Sequence, residues 1–159
     1  MSKSNLTVEE AILEVQQGYP FPEIIAGTEE TIKALGSVIQ SQRPEGGRLL
    51  DIGCGALDKA TVFQMLGYEC AACDDFQDPW HREKQNLGPV LEFAARCGVE
   101  VHTLDESHST PWEEGSFDIV TIVNVIEHLH ESPRGILNLA GSYLKEGGLL
   151  VVAMPNSVN

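Results

Sequence analysis

Positive charge is scarce in this chain of 159 residues. Lys and Arg number 10 against 24 Asp and Glu, a net charge of −14. A surface this acidic repels phosphate backbones, whose binding rests on basic side chains, and it repels anionic lipid for the same reason. Nucleic acid and membrane surfaces are therefore excluded as partners. No run approaches the roughly 18 apolar residues of a membrane span. The opening segment, Met1 to Glu10, lacks the basic-then-apolar layout of a secretory leader. A cytoplasmic protein is expected. No G-x-x-x-x-G-K-[ST] occurs, so a P-loop is excluded. Cysteine is sparse too. Cys54, Cys70, Cys73 and Cys97 include one C-x-x-C and no second pair of Cys or His at a spacing that would complete a zinc site. The pair Cys70 and Cys73 lies in an apolar run that reads as a strand, where alternation sends the two sulfurs to opposite faces. Inert, buried thiols are expected, and no metal site.

What is present is globular. Hydrophobic residues make up 42% of the chain and charged residues 21%, and the length suits one domain. Thr7-x-x-Glu10 is a capping box that opens a helix to about Gln17. Pro20 and Pro22 interrupt it, and a second helix is expected from Thr28 to Gln42, with Ile32, Leu35, Val38 and Ile39 on one side. After Pro44 the pattern becomes strand alternating with helix. Strands are expected at 48–52, 68–73, 99–104, 117–123 and 149–153, and helices at 58–66, 82–97 and 133–144, with a short turn at 126–129. Gly147-Gly148 should separate the last helix from the last strand. Such alternation predicts an α/β fold, a Rossmann-like doubly wound parallel sheet of about five strands in the order 3-2-1-4-5. Residues 1–45 form an N-terminal helical segment expected to cover the site, and 46–159 the sheet domain.

Gly53-Cys54-Gly55 follows the first strand. In open parallel sheets ligands bind beyond the carboxyl ends of the strands, and glycine there lets a ligand approach the backbone. Asp74 lies 23 residues after Asp51, at the end of the second strand, placed to accept hydrogen bonds from both ribose hydroxyls. Together they point to a nucleoside-containing cofactor. A dinucleotide fingerprint needs a small residue where this chain has Asp58, a carboxylate in the first helical turn that opposes a pyrophosphate. A ribose-bearing cofactor without phosphates fits better. S-adenosylmethionine is such a molecule, and its cationic groups suit a mouth lined by Asp51, Asp74, Asp75 and Asp105.

Five segments carry a resemblance. They are Leu49-Leu50-Asp51-Ile52-Gly53-Cys54-Gly55, Asp74, Gly115-Ser116-Phe117-Asp118-Ile119-Val120, Asn124-Val125-Ile126-Glu127-His128-Leu129, and Leu144-Lys145-Glu146-Gly147-Gly148-Leu149-Leu150. In this order and spacing the chain resembles the class I S-adenosylmethionine-dependent methyltransferases, in the group acting on small molecules. The resemblance implies methyl transfer from S-adenosylmethionine to a small-molecule or glycan-like acceptor. It implies that Gly53, Cys54 and Gly55 pass beside the methionine part of the cofactor and that Asp51 orders that loop. Asp74 would bind the ribose, Asp105 or Glu106 would face the adenine amino group, and Asn124 would lie beside the methionine end. His128 and His130, after the fourth strand, are the candidate bases. Trp80 and Trp112 are candidates for lining a substrate pocket, and His81 for contacting substrate. Leu57 stands where the family often has a third glycine. The alternatives are a non-catalytic cofactor-binding or interaction module and a nicotinamide-dependent oxidoreductase. The family normally has seven strands, so the last strand here is expected to form a bare apolar edge. Such an edge suits a truncated chain or a homo-oligomer paired through strand five.

Overall fold

The computed structural model describes residues 6–82, 84–105, 109–130 and 132–155. Its centre is a parallel sheet of β1 (Arg48–Ile52), β2 (Glu69–Asp74), β3 (Glu100–Thr103), β4 (Phe117–Val123) and β5 (Leu144–Ala153), in the order β3-β2-β1-β4-β5. The helices are α1 (Val8–Gly18), α2 (Pro22–Gln42), α3 (Asp58–Met65), α4 (Pro79–Arg82), α5 (Leu87–Cys97) and α6 (Arg134–Tyr143). The expected order and the doubly wound architecture are both present.

The capping box forms as the sequence predicts. Thr7 Oγ1 accepts from the Glu10 N–H at 3.2 Å and Glu10 Oε2 from the Thr7 N–H at 2.8 Å. Other boundaries move, each for a physical reason. The second helix begins at Pro22 rather than Thr28, because proline at the first helical position lacks only an N–H that would go unpaired there. Val38, expected on the buried side of that helix, is 47% exposed, while Ile25 takes a core position. The single helix expected over 82–97 is two, α4 and α5. Pro89 cannot sit in a helix interior, so α5 restarts at Leu87 and holds the proline in its first turn. Gly147-Gly148 does not precede the last strand but lies within it. Phe117 pairs with Leu144 and Ile119 with Leu149, so residues 145–148 bulge out of the ladder between them.

Alternation along the strands divides the core in two. Leu49, Cys70, Ala72, Ile119 and Val123 face α1, α2, α3 and α5. Leu50, Ile52, Ala71, Cys73, Val120 and Ile122 face Trp112 and the α6 residues Ala140 and Tyr143. Cys70 and Cys73 thus lie on opposite faces, and all four cysteines are free thiols. The helices α1 and α2 share the first of these cores with the sheet, so they pack as part of the same body. β5 closes one end of the sheet, with Leu150 37% and Val152 40% exposed. No helix among the described residues is long and apolar enough to cross a membrane.

Candidate functional site

The carboxyl ends of β2, β1 and β4 meet around the turn that leaves β1. The N–H groups of Gly53 and Cys54 both donate to Cys73 O, at 2.8 and 3.2 Å, which stitches the turn to the end of β2. Gly53 has φ +73°, and a Cβ there would come within 2.3 Å of Val125 Cγ2. Only glycine lets the turn and the segment after β4 approach so closely. Gly55 has φ +51°, and a Cβ there would meet nothing within 4 Å. One glycine is demanded by packing, while the other faces open space where a ligand can reach the backbone. Cys54 is wholly buried, so its backbone is what it offers. Leu57, in the place of a third glycine, adopts φ +62° with its side chain fully buried. Core packing holds it in a conformation that strains a branched side chain.

Asp74 closes over this turn. Its Oδ2 accepts from the Gly55 N–H and its Oδ1 from the Phe76 N–H, each at 2.8 Å. Each carboxylate oxygen keeps a second acceptor position. Asp75 is exposed and turned along its own loop, accepting from the Gln77 N–H at 2.9 Å. Asp105 is exposed at the end of β3. Glu106 lies outside the described residues. Asn124 directly follows β4 with φ +56°, a region its short polar side chain tolerates. Its N–H donates to Ala153 O at 2.9 Å, and its side chain is exposed. His128 ends the short 3₁₀ turn Ile126–His128, and both it and His130 are exposed.

Beneath the turn lies a buried charge cluster. Asp51 is 1% exposed; its Oδ1 accepts from Thr121 Oγ1 at 2.7 Å, and its Oδ2 has no hydrogen-bond partner. Burial pushes its carboxyl up to about 6, against the opposing pull of Lys59 and the Thr121 hydroxyl. Lys59 Nζ donates to Asp58 Oδ1 at 3.0 Å, and Thr28 Oγ1 donates to Asp58 Oδ2 at 2.7 Å. Burial alone would lower the Lys59 ammonium, but Asp58 and Asp51 hold it above the usual lysine range. Two acids and one base leave the cluster one negative charge in excess when Asp51 is ionised. Asp58 therefore does not face the open mouth as a bare carboxylate; its charge is paired below the turn. Burial likewise pushes the Cys73 thiol up to about 12, and Cys54 and Cys70 rise for the same reason. These are inert thiols.

Sequence reasoning missed Lys59, Thr28 and Thr121 as partners of the acids. A signal existed at Asp58-Lys59, a charge pair opening a helix whose remaining positions are mostly apolar. The turn has two outer supports, Tyr19, which sequence reasoning missed, and His81, which it offered only as a candidate for contacting substrate. Tyr19, at the end of α1, donates its hydroxyl to Ala56 O. His81 Nε2 lies 3.2 Å from Gly55 O. Trp80 stacks edge-on against Phe21 at 5.2 Å, linking α4 to the entry of α2. Trp112 is buried in the second core beside Phe117 and Tyr143, so it is a packing residue rather than an exposed lining. No group of three or more metal-binding side chains occurs among the described residues.

A family model described as a methyltransferase domain matches residues 28–158. The ubiquinone biosynthesis O-methyltransferase of Caulobacter sp. (strain K31) is 32% identical over 114 residues, covering 70% of this chain and 42% of that protein. The protein of the same name from Rickettsia felis is 29% identical over 108 residues, covering 68% of this chain and 41% of its own length. The chain thus spans less than half the length of these curated relatives. Among solved structures, the glycopeptide N-methyltransferase MtfA complexed with sinefungin superposes with a TM-score of 0.60 at 19% identity, covering 76% of this chain and 52% of that one. That likeness is one of fold.

Proposed function

Because this chain belongs to the class I S-adenosylmethionine-dependent methyltransferases, we propose that it binds S-adenosylmethionine across the carboxyl ends of β2, β1 and β4 and passes the methyl group to a small-molecule acceptor. The observation that carries this reading is Asp74 at the glycine turn. Its two oxygens each hold one backbone N–H and each keep room for a ribose hydroxyl, directly beside a Gly55 backbone that faces open space.

The residues present fit such a cofactor. Asp51 keeps a buried oxygen with no partner, as a site for a cationic amino group or a water bound to it would require. The backbone of Gly53, Cys54 and Gly55 lets the methionine end lie against the turn. In this reading Asp105, just beyond β3, would meet an exocyclic amino group of the base, Asn124 would lie beside the methionine end, and the exposed Asp75 would add negative charge nearby. The excess negative charge around the turn favours a sulfonium over a neutral thioether.

S-adenosylmethionine supplies a methyl group on a positively charged sulfur, with a neutral thioether as leaving group. The chain's own contribution is then to hold the acceptor in line with that methyl and to exclude water, a matter of position rather than acid catalysis. The relatives are named O-methyltransferases, which favours an oxygen nucleophile. A hydroxyl acceptor protonated at neutral pH needs a base, and His128 and His130, exposed just beyond β4, are the side chains proposed for it.

Isothermal titration with S-adenosylhomocysteine tests the reading. The unchanged chain should bind in the micromolar range, and Asp74→Ala should weaken binding about tenfold or more, the loss of charge-assisted hydrogen bonds to two hydroxyls. No heat at high micromolar ligand would overturn it.

A further inference from the structure

We infer that His81 is a positioning residue for the glycine turn, holding the Gly55 carbonyl so that the turn is set before its ligand arrives. This rests on the reading of that turn as the cofactor's seat.

His81 is 5% exposed, and its Nε2 lies 3.2 Å from Gly55 O. A carbonyl only accepts, so the ring carries its hydrogen at Nε2. The other nitrogen, Nδ1, is buried without a hydrogen-bond partner. Burying an unpaired acceptor is unfavourable, since its hydrogen bonds to water are lost and not replaced. A position kept for packing alone would be better filled by phenylalanine, which carries no such atom. What the imidazole supplies that phenylalanine would not is its hydrogen bond to Gly55 O.

The ring is held firmly enough to do this. Phe76 and Trp80 stand edge-on to it at 5.3 and 5.0 Å. Asp78 fixes the start of α4, accepting the Trp80 N–H on Oδ1 at 2.7 Å and the His81 N–H on its backbone oxygen at 3.0 Å. Asp74 and His81 then grip opposite polar groups of the same residue. Asp74 Oδ2 takes the Gly55 N–H and His81 takes the Gly55 C=O. The next carbonyl, Ala56 O, is taken by the Tyr19 hydroxyl. In a trans peptide the N–H points opposite to the C=O. By fixing the Gly55 carbonyl, His81 also fixes the direction of the Ala56 N–H. Gly55 has open space where a side chain would stand, so its conformation depends on these polar ties. A turn ordered in advance does not lose that freedom on binding, and affinity rises accordingly.

Two variants separate this role from packing. His81→Phe keeps the ring and its edge contacts but removes the donor. His81→Gln loses the ring but restores an N–H at a similar reach. Hydrogen exchange over residues 53–57 of the free chain should quicken in His81→Phe and return toward the original rate in His81→Gln. S-adenosylhomocysteine affinity should fall about tenfold in the first and stay within about threefold in the second. Unaltered exchange in His81→Phe, equal affinities, or the reverse order, with Phe binding and Gln failing, would overturn the proposal. An unchanged chain that binds no S-adenosylhomocysteine would overturn the cofactor reading instead. The exchange rates of the two variants would then still decide whether His81 holds the turn.

Discussion

The two sides of the sheet are built to different standards. On the β1–β2 side, four of the five β1 residues are buried, the turn beyond them is tied to β2, Asp74, His81 and Tyr19, and Asp58 is paired with Lys59 underneath. On the β5 side the strand shows no fully buried residue, and four of its residues bulge away from the ladder. The side with the glycine turn is closed within the described residues. The other side presents apolar strand to solvent. The proposed cofactor seat lies in the first region, and the open edge of β5 lies in the second. Each prediction below strains one side and leaves the other as its control.

The largest effect is expected where the two sides touch. Gly53 abuts Val125, the second residue beyond β4, and no side chain fits between them. Gly53→Val should cost about 3–5 kcal/mol through overpacking and a strained positive φ, read as a drop in the urea midpoint. Gly55→Ala meets no neighbour and should cost only about 1 kcal/mol, from backbone conformation alone. Equal losses at the two glycines would mean that the contact with Val125 is not what constrains the turn.

Asp51 comes next. Its carboxyl titrates near 6 in the folded chain, above its usual value of 3.8, chiefly because it is buried. The native state therefore holds this proton more tightly than the unfolded state does. Its contribution to stability is greatest below about pH 4, falls as pH rises from about 4 to 6, and stays low at neutral pH. Asp51→Asn should remove that slope. The stability difference between variant and unchanged chain should grow by about 1–3 kcal/mol from pH 4 to pH 7 in favour of the variant. The same change should weaken cofactor binding at pH 7, since it takes away the negative charge. A difference that is flat with pH would show that the carboxylate is hydrated in the folded chain. The burial of Asp51 marks the turn side as one where stability is given up for charge.

The sheet order, the strand–helix alternation and the acids at the strand ends were legible because each has a local signature. Period-two or continuous apolar runs mark strands, Gly-x-Gly marks the first turn, and an acid closes the second strand. What escaped was long-range. Thr28 meets Asp58 and Thr121 meets Asp51 across 30 and 70 positions of sequence, and no spacing rule brings such pairs together. The pairing of Asp58 with Lys59 was equally hidden, because adjacent residues on a helix do not normally face each other. The extent of β5 was hidden for the opposite reason. Gly147-Gly148 reads as a break, and only the ladder with β4 reveals a strand that continues past a bulge. His81 sits in a four-residue helix, too short for a periodic signal.

The smallest effect is expected at the edge, and it is the sharpest test of the contrast. Val152 is 40% exposed and Met154, just past the strand, is 56% exposed. A lysine on an open edge strand blocks pairing with another strand while disturbing little within its own sheet. Val152→Lys should change stability by no more than about 0.5 kcal/mol and leave S-adenosylhomocysteine affinity unaltered, because the proposed cofactor seat is built on β2, β1 and β4 rather than β5. Sedimentation should show the unchanged chain self-associating at high micromolar concentration and Val152→Lys remaining monomeric. A chain that is monomeric without the substitution would refute pairing through β5. A substitution there that weakened cofactor binding would instead join the two sides through the Asn124 N–H to Ala153 O hydrogen bond at 2.9 Å, where the end of β5 supports the residue after β4.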